Sequence, residues 1–89
     1  MYHVYMIKNA NNKLYTGVTK NLTKRLEYHN AKKGAEFTKY KSDFKQVFAE
    51  EYGTLAEARK REIQIKKWRR DKKEMLIKKY SKNLPTKLT

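Results

Sequence analysis

Residues 2–7 read Tyr-His-Val-Tyr-Met-Ile, and Asn9-Ala10-Asn11-Asn12 follows almost at once. Aromatic and β-branched side chains favour extended backbone, and an asparagine-rich run favours a turn. Leu14-Tyr15-Thr16-Gly17-Val18 then resumes the strand pattern. So short a connection makes the two segments an antiparallel hairpin. Whatever follows has to cover that sheet. Gly17, inside the second strand, marks a bulge or a point where another backbone or a ligand comes close.

The remaining elements can be read in order. Asn21 caps a helix from Leu22 to about Lys32, with Gly34 as its stop. Residues 33–44 are polar and read as irregular. Residues 45–52 form a third strand whose apolar content is Val47 and Phe48. Thr54 and Glu57 have the spacing of a capping box, which starts a helix running to Trp68 or Arg69. A last helix covers about Asp71 to Tyr80 and ends before Asn83-Leu84-Pro85. The order β-β-α-β-α-α makes this an α+β fold, a three-stranded antiparallel sheet flanked by helices. One domain over residues 1–83 is expected, with 84–89 as a short C-terminal tail.

The charge balance narrows the function. Among 89 residues, 23 Lys and Arg stand against 9 Asp and Glu, a formal charge of +14. That exceeds the magnitude of about 2–8 that suits a small domain, and self-repulsion of this size calls for a polyanionic partner. Cysteine is absent, which excludes disulfides, thiolate metal sites and a Cys nucleophile. No apolar run approaches the roughly 20 residues that span a bilayer. The apolar N-terminus lacks a basic leader, so no signal peptide is expected and the cytoplasm is the expected compartment.

Several side chains could carry chemistry. On the helix after Thr54, Glu62 falls between Leu55 and Ala58 at about 100° per residue, so a carboxylate points to the sheet with Ala58, Ile65 and Trp68. The ordinary use of such a group is a buried salt bridge; the other is a metal. Arg25 and His29, four apart, share a face with Leu22 and Leu26. Arginine can clamp a phosphate oxygen, and imidazole exchanges protons near neutral pH. Taken singly, they read as a surface Arg and a half-buried core-edge His. Tyr5 and Tyr15 come from the paired strands, where a tyrosine usually serves packing. Two Tyr, an Arg, a His and a Glu together in so basic a chain suit a phosphodiester. From 59 to 79, eleven Lys and Arg face three acids, a backbone-binding surface rather than a membrane helix, since bulky apolar residues are sparse. Lys24, Arg59, Lys66, Lys67, Arg69 and Arg70 are the candidates for holding nucleic acid.

These residues resemble a known family. His3-Val4-Tyr5, nine residues, then Tyr15-Thr16-Gly17 is similar to the two-part signature of the GIY-YIG nuclease domain. His3 stands where that pattern has Gly, Val4 and Thr16 where it has Ile. The segment from Asn21 to Asn30, with Arg25 and His29, is similar to the family's next motif, and Gly34 and Thr38 fit the loop after it. The stretch from Ala58 to Trp68 resembles the helix that bears the family's metal-binding Glu, here Glu62. Asn83 is a candidate for an Asn that many members carry beyond it. The nearest likeness is to the small stand-alone bacterial UPF0213 type.

The resemblance implies hydrolysis of a nucleic-acid phosphodiester, DNA more than RNA, with one divalent metal, Mg²⁺ or Mn²⁺. It implies that Tyr5 and Tyr15 line the scissile phosphate, that one of them or His29 activates water, that Arg25 stabilises developing charge, and that Glu62 holds the metal. The alternative is a non-catalytic DNA- or RNA-binding module of the same fold, part of a larger complex. In either case a protein partner could supply specificity. A membrane-surface role comes third.

Overall fold

The asparagines after the first strand close a tight turn in the computed structural model, which describes residues 1–36 and 44–87. Strands β1 (Tyr2–Lys8) and β2 (Leu14–Thr19) are antiparallel, with Tyr5 opposite Gly17 and Ile7 opposite Tyr15. Asn12 adopts left-handed backbone (φ 64°) and donates its N–H to the Asn9 carbonyl at 2.9 Å. Asn9 Oδ1 accepts from the Lys13 N–H at 2.9 Å. Asparagine suits both places because its short side chain bonds locally and tolerates left-handed backbone.

Strand β3 (Lys45–Tyr52) pairs with the free edge of β1, giving the sheet order β2-β1-β3. The register slips after Met6, which faces Phe48 while Ile7 faces Gln46. The central strand is buried from Val4 to Ile7, and its alternation feeds two cores. Val4 and Met6 join Phe48, Ala58, Ile65 and Leu76. Tyr5 and Ile7 join Phe44, with Leu22 and Leu26 against them. Helix α1 (Leu22–Glu36) therefore covers one face, and α2 (Leu55–Lys66) with α3 (Arg70–Ser81) the other. Each large apolar side chain buried this way contributes about 1.5–3 kcal/mol.

The caps explain where the helices lie. Asn21 Oδ1 accepts from the Lys24 N–H at 3.0 Å and starts α1 as expected. The helix does not stop at Gly34 but runs on to Glu36. A glycine costs a helix only about 1 kcal/mol relative to alanine, too little to end it. Residues 37–43, Thr38 among them, lie outside the described residues. Where the chain returns, Asn30 Oδ1 accepts from the Phe44 N–H at 2.9 Å and Asn30 Nδ2 donates to the Phe44 carbonyl at 3.3 Å. That side chain ties α1 to the residue that leads into β3.

At α2, Thr54 Oγ1 accepts from the Glu57 N–H at 3.2 Å. The same hydroxyl sits 3.0 Å from Glu57 Oε1 and donates to it. The helix ends at Lys66, slightly earlier than expected. Its buried face is Ala58, Arg61, Glu62 and Ile65, while Leu55 is exposed. Arg61 takes a core place because Glu50 of β3 receives it, Nε to Oε1 at 3.0 Å and Nη2 to Oε2 at 3.2 Å. Tyr52 donates to Glu50 Oε1 at 2.9 Å. Burial, and then this bond, push the Tyr52 phenol up to about 12. Residues after 83 fold back on this network, since the Thr86 carbonyl accepts from Arg61 Nη2 at 3.0 Å and Lys87 Nζ lies 4.1 Å from the Tyr52 ring centre.

Helix α3 closes through Asn83, in left-handed backbone (φ 59°). The Leu84 N–H reaches the Lys79 carbonyl at 2.9 Å and the Asn83 N–H the Tyr80 carbonyl at 3.1 Å. This pair of bonds is a Schellman motif, so Asn83 ends the helix.

Candidate active site

Four of the residues singled out in the sequence meet at one hydroxyl. Tyr5, buried on β1, sends its ring across β2 directly over Gly17. A Cβ on Gly17 would lie 2.6 Å from the Tyr5 hydroxyl and 2.9 Å from its ring carbon, so only glycine lets the phenol through. A close approach at Gly17 was expected from a backbone or a ligand; what approaches is the Tyr5 side chain. From α1, Arg25 Nε donates to the Tyr5 oxygen at 3.3 Å and His29 Nε2 lies 3.1 Å from it. Arg25 and His29 are one helical turn apart, so both reach the same atom. Tyr15, exposed on β2 and diagonal to Tyr5, lies 4.6 Å from His29 and 6.3 Å from Tyr5 between ring centres.

The proton inventory is narrow. Arginine can only donate, so the Tyr5 oxygen accepts from Arg25. With the His29 tautomer protonated at Nδ1, its Nε2 can take the phenolic proton. Burial pushes the Tyr5 phenol above its ordinary value, Arg25 pulls it back, and the Tyr15 and Glu62 charges add to the rise. Tyr5 is therefore a neutral phenol through the neutral range. Its bond holds Arg25 more firmly protonated against the opposing effect of burial, and Tyr15 contributes to that as well.

Glu62 approaches from α2, on the opposite face of the sheet, near enough for its charge to reach Tyr5. It is buried, as its place on the helix predicts. Its oxygens hold Arg59 Nη1 at 3.2 Å and Lys66 Nζ at 3.1 Å, both from its own helix. Among the described residues no three of His, Cys, Asp and Glu gather to form a metal cage. A lone carboxylate still suits a hard cation that draws its other ligands from water and substrate phosphates, as Mg²⁺ commonly does.

The remaining cationic candidates divide. Arg59 and Lys66 flank Glu62. Lys67 and Arg69 line a cavity beside Trp68 instead. Arg70 is engaged within the fold, donating to Glu74 Oε2 at 2.7 Å and to the Asn12 carbonyl at 2.8 Å. Lys24 is exposed in the first turn of α1. Sequence reasoning missed Asn30, whose partner is backbone 14 residues on, and the Arg61–Glu50 pair. The Asn30 contact leaves no local signal. For Arg61, its place on the α2 face between Ala58 and Ile65 was the available one.

Comparison with known proteins agrees with this arrangement. The family model of the GIY-YIG catalytic domain matches residues 1–81. UPF0213 proteins of Staphylococcus aureus, those of strains Mu3 and N315 among them, are 44% identical over 75 residues, covering 84% of this chain and 92% of theirs. The solution NMR structure of a UPF0213 protein from Bacillus halodurans superimposes with a TM-score of 0.57 at 30% identity, covering 88% of this chain and 84% of that one. Fold and family together define a nuclease-type domain. The chain belongs to the GIY-YIG family, within its UPF0213 group. No helix among the described residues is long and apolar enough to cross a membrane.

Proposed function

We propose that this protein is a divalent-metal-dependent endonuclease that hydrolyses phosphodiester bonds in nucleic acid, DNA more than RNA. The observation that carries the reading is the single hydroxyl of Tyr5 shared by Arg25 and His29, with Tyr15 beside it and the buried Glu62 on the other face of the sheet. A structural tyrosine would not need a guanidinium donor, an imidazole and a glycine cleared for its ring.

The chemistry follows from the proton inventory. A water attacks phosphorus and its proton moves to the Tyr5 oxygen while the phenolic proton passes to His29 Nε2. The relay suits a phenol whose burial resists ionisation, because Tyr5 never carries a net charge. The bond from phosphorus to the leaving oxygen breaks as the new one forms. Arg25, with further N–H groups on its guanidinium, stabilises the charge that builds on the phosphate oxygens. Tyr15 lines the phosphate from the exposed side. Glu62, with water and phosphate oxygens, would hold Mg²⁺ or Mn²⁺. The ion would polarise the phosphoryl group and stabilise the leaving oxygen. Lys24, Arg59, Lys66, Lys67, Arg69 and Arg70 would hold the nucleic-acid backbone. A cysteine-free chain acting on nucleic acid fits the cytoplasm.

One observation favours a second reading, in which the fold binds and does not cut: both Glu62 oxygens are taken by cations. A cleavage assay separates the two. Labelled single-stranded, duplex, flapped and four-way-junction DNA is incubated with Mg²⁺, with Mn²⁺ and with chelator, Glu62→Ala protein beside the wild type. Metal-dependent product that the variant lacks is the expected result. Salt-sensitive binding with no product on any form would instead support the binding module.

A further inference from the structure

We propose a second nucleic-acid site, a cavity at the junction of α2 and α3 that takes an unpaired base of a single strand. It goes beyond phosphodiester hydrolysis and does not require it. The cavity has a volume of about 660 Å³, and its apolar lining is Trp68, Met75 and Leu76. That volume lies within the range of about 300–1,000 Å³ typical of pockets for small organic groups. Its rim carries Lys67, Arg69, Lys72 and Lys79 against a single carboxylate, Asp71. Asp71 is 3.5 Å from Arg69, so among the described residues the three lysines have no ion-pair partner.

Position on α2 sets this site apart from the first. At about 100° per residue, Arg59, Glu62 and Lys66 share one flank, whereas Arg61, Gln64 and Trp68 lie about 160° around from them. The buried Ala58 and Ile65 run between the two flanks, against the sheet. Glu62 and Trp68 therefore stand on opposite sides of that buried stripe.

The indole is prepared for a planar ligand. It is half-buried, and two cations rest on it, Lys72 Nζ at 4.3 Å from the ring centre and Arg61 Cζ at 5.2 Å. Arg61 is fixed by Glu50, but Lys72 is exposed and can move from the ring to a phosphate. A base stacking in its place gains about 1–3 kcal/mol from the aromatic face. The surrounding lysines match the phosphates on either side of that base. Paired bases cannot enter a cavity, so the site selects single strands.

Trp68 is the only tryptophan in the chain, so its fluorescence reports on this cavity alone. The full chain is titrated in chelator with a short oligothymidine, with a duplex of the same length, and with thymidine monophosphate. Saturable quenching by the single strand, stronger than by duplex or mononucleotide, is expected. Lys67→Glu with Lys79→Glu, both exposed, should weaken it about tenfold without disturbing the fold, as read by the unliganded emission and circular dichroism. Glu62→Ala should leave it unchanged. Absent quenching, or equal quenching by duplex or mononucleotide, overturns the proposal. So does wild-type affinity in the double variant. Quenching without cleavage counts against the nuclease reading alone, and cleavage without quenching against this one alone.

Discussion

Two carboxylates are buried among the described residues of this small basic domain, and they are buried in different company. Glu50 on β3 has 2% of its side chain exposed, and its partner Arg61 has 8%. Glu62 on α2 is 7% exposed, but its partners Arg59 and Lys66 are 57% and 52% exposed. Glu50 also takes the Tyr52 hydroxyl, and Arg61 continues to Gln64 and the Thr86 carbonyl. The cation on Glu50 is held inside the protein. The cations on Glu62 reach it from solvent and can leave again. Burial of an acid therefore does not by itself mark a working group. The exposure of its partners separates a structural pair from a carboxylate that can exchange its ligands.

Breaking the Glu50 pair is the most damaging test. Glu50→Ala leaves the Arg61 guanidinium buried without its counter-charge, a change that costs about 3–5 kcal/mol. In a domain of this size 1 kcal/mol moves Tm by roughly 4–8 °C, so the loss should exceed about 12 °C in a thermal melt. Replacing both partners together, Glu50→Leu with Arg61→Met, should recover most of it, because the penalty belongs to the unpaired ion. A Glu50→Ala protein that melts within a few degrees of the wild type would put the two carboxylates in one class.

Glu62→Ala is the sharper test, since it should separate stability from activity. The cations it releases are already half in water, so urea unfolding should change by less than about 1 kcal/mol. Metal-dependent cleavage should fall more than about tenfold, at least 1.4 kcal/mol of transition-state stabilisation. A large stability loss instead would make Glu62 a second Glu50 and remove its candidacy as a metal ligand.

How much of this was legible in the sequence depends on the range of each interaction. The hairpin, both helix caps and the position of Glu62 on α2 follow from residues a few places apart. So does the juxtaposition of Arg25 with His29. The element order and the meeting of Tyr5 with Tyr15 follow from strand pairing. What escaped was set by partners distant in the chain. Arg61 reads as one more cation in a basic helix until Glu50, 11 residues earlier on another element, is seen beneath it. Leu55 reads as core, yet it stands exposed in the first turn of α2. Asn83 stands where the last helix was expected to end, but its left-handed backbone was not read from the sequence. Gly34 reads as a stop because glycine often ends helices, and here its cost is too small to do so. The cationic surface was legible as a sum but not as its division between two flanks of α2 and the tie from Arg70 to Asn12.

Glu74 supplies a third, more open member of the comparison and the smallest expected effect. Its side chain is 36% exposed, and it accepts from Lys8 Nζ at 2.9 Å and Arg70 Nε at 2.7 Å. The Lys8 hydrogen bond, with help from Arg70 and against partial burial, holds its carboxyl below the ordinary carboxylate value. The unfolded chain therefore takes up the proton first as pH falls. The stability contributed by Glu74 is present above the ordinary carboxylate range and is lost as pH drops through the lowered folded value. Solvent screening keeps it under about 1 kcal/mol. Glu74→Gln should lower the urea midpoint slightly at neutral pH, and added salt should shrink the difference. Below the folded value the two proteins should coincide. A Glu74→Gln penalty as large as that of Glu50→Ala, or one indifferent to salt, would show that partner exposure does not rank these carboxylates.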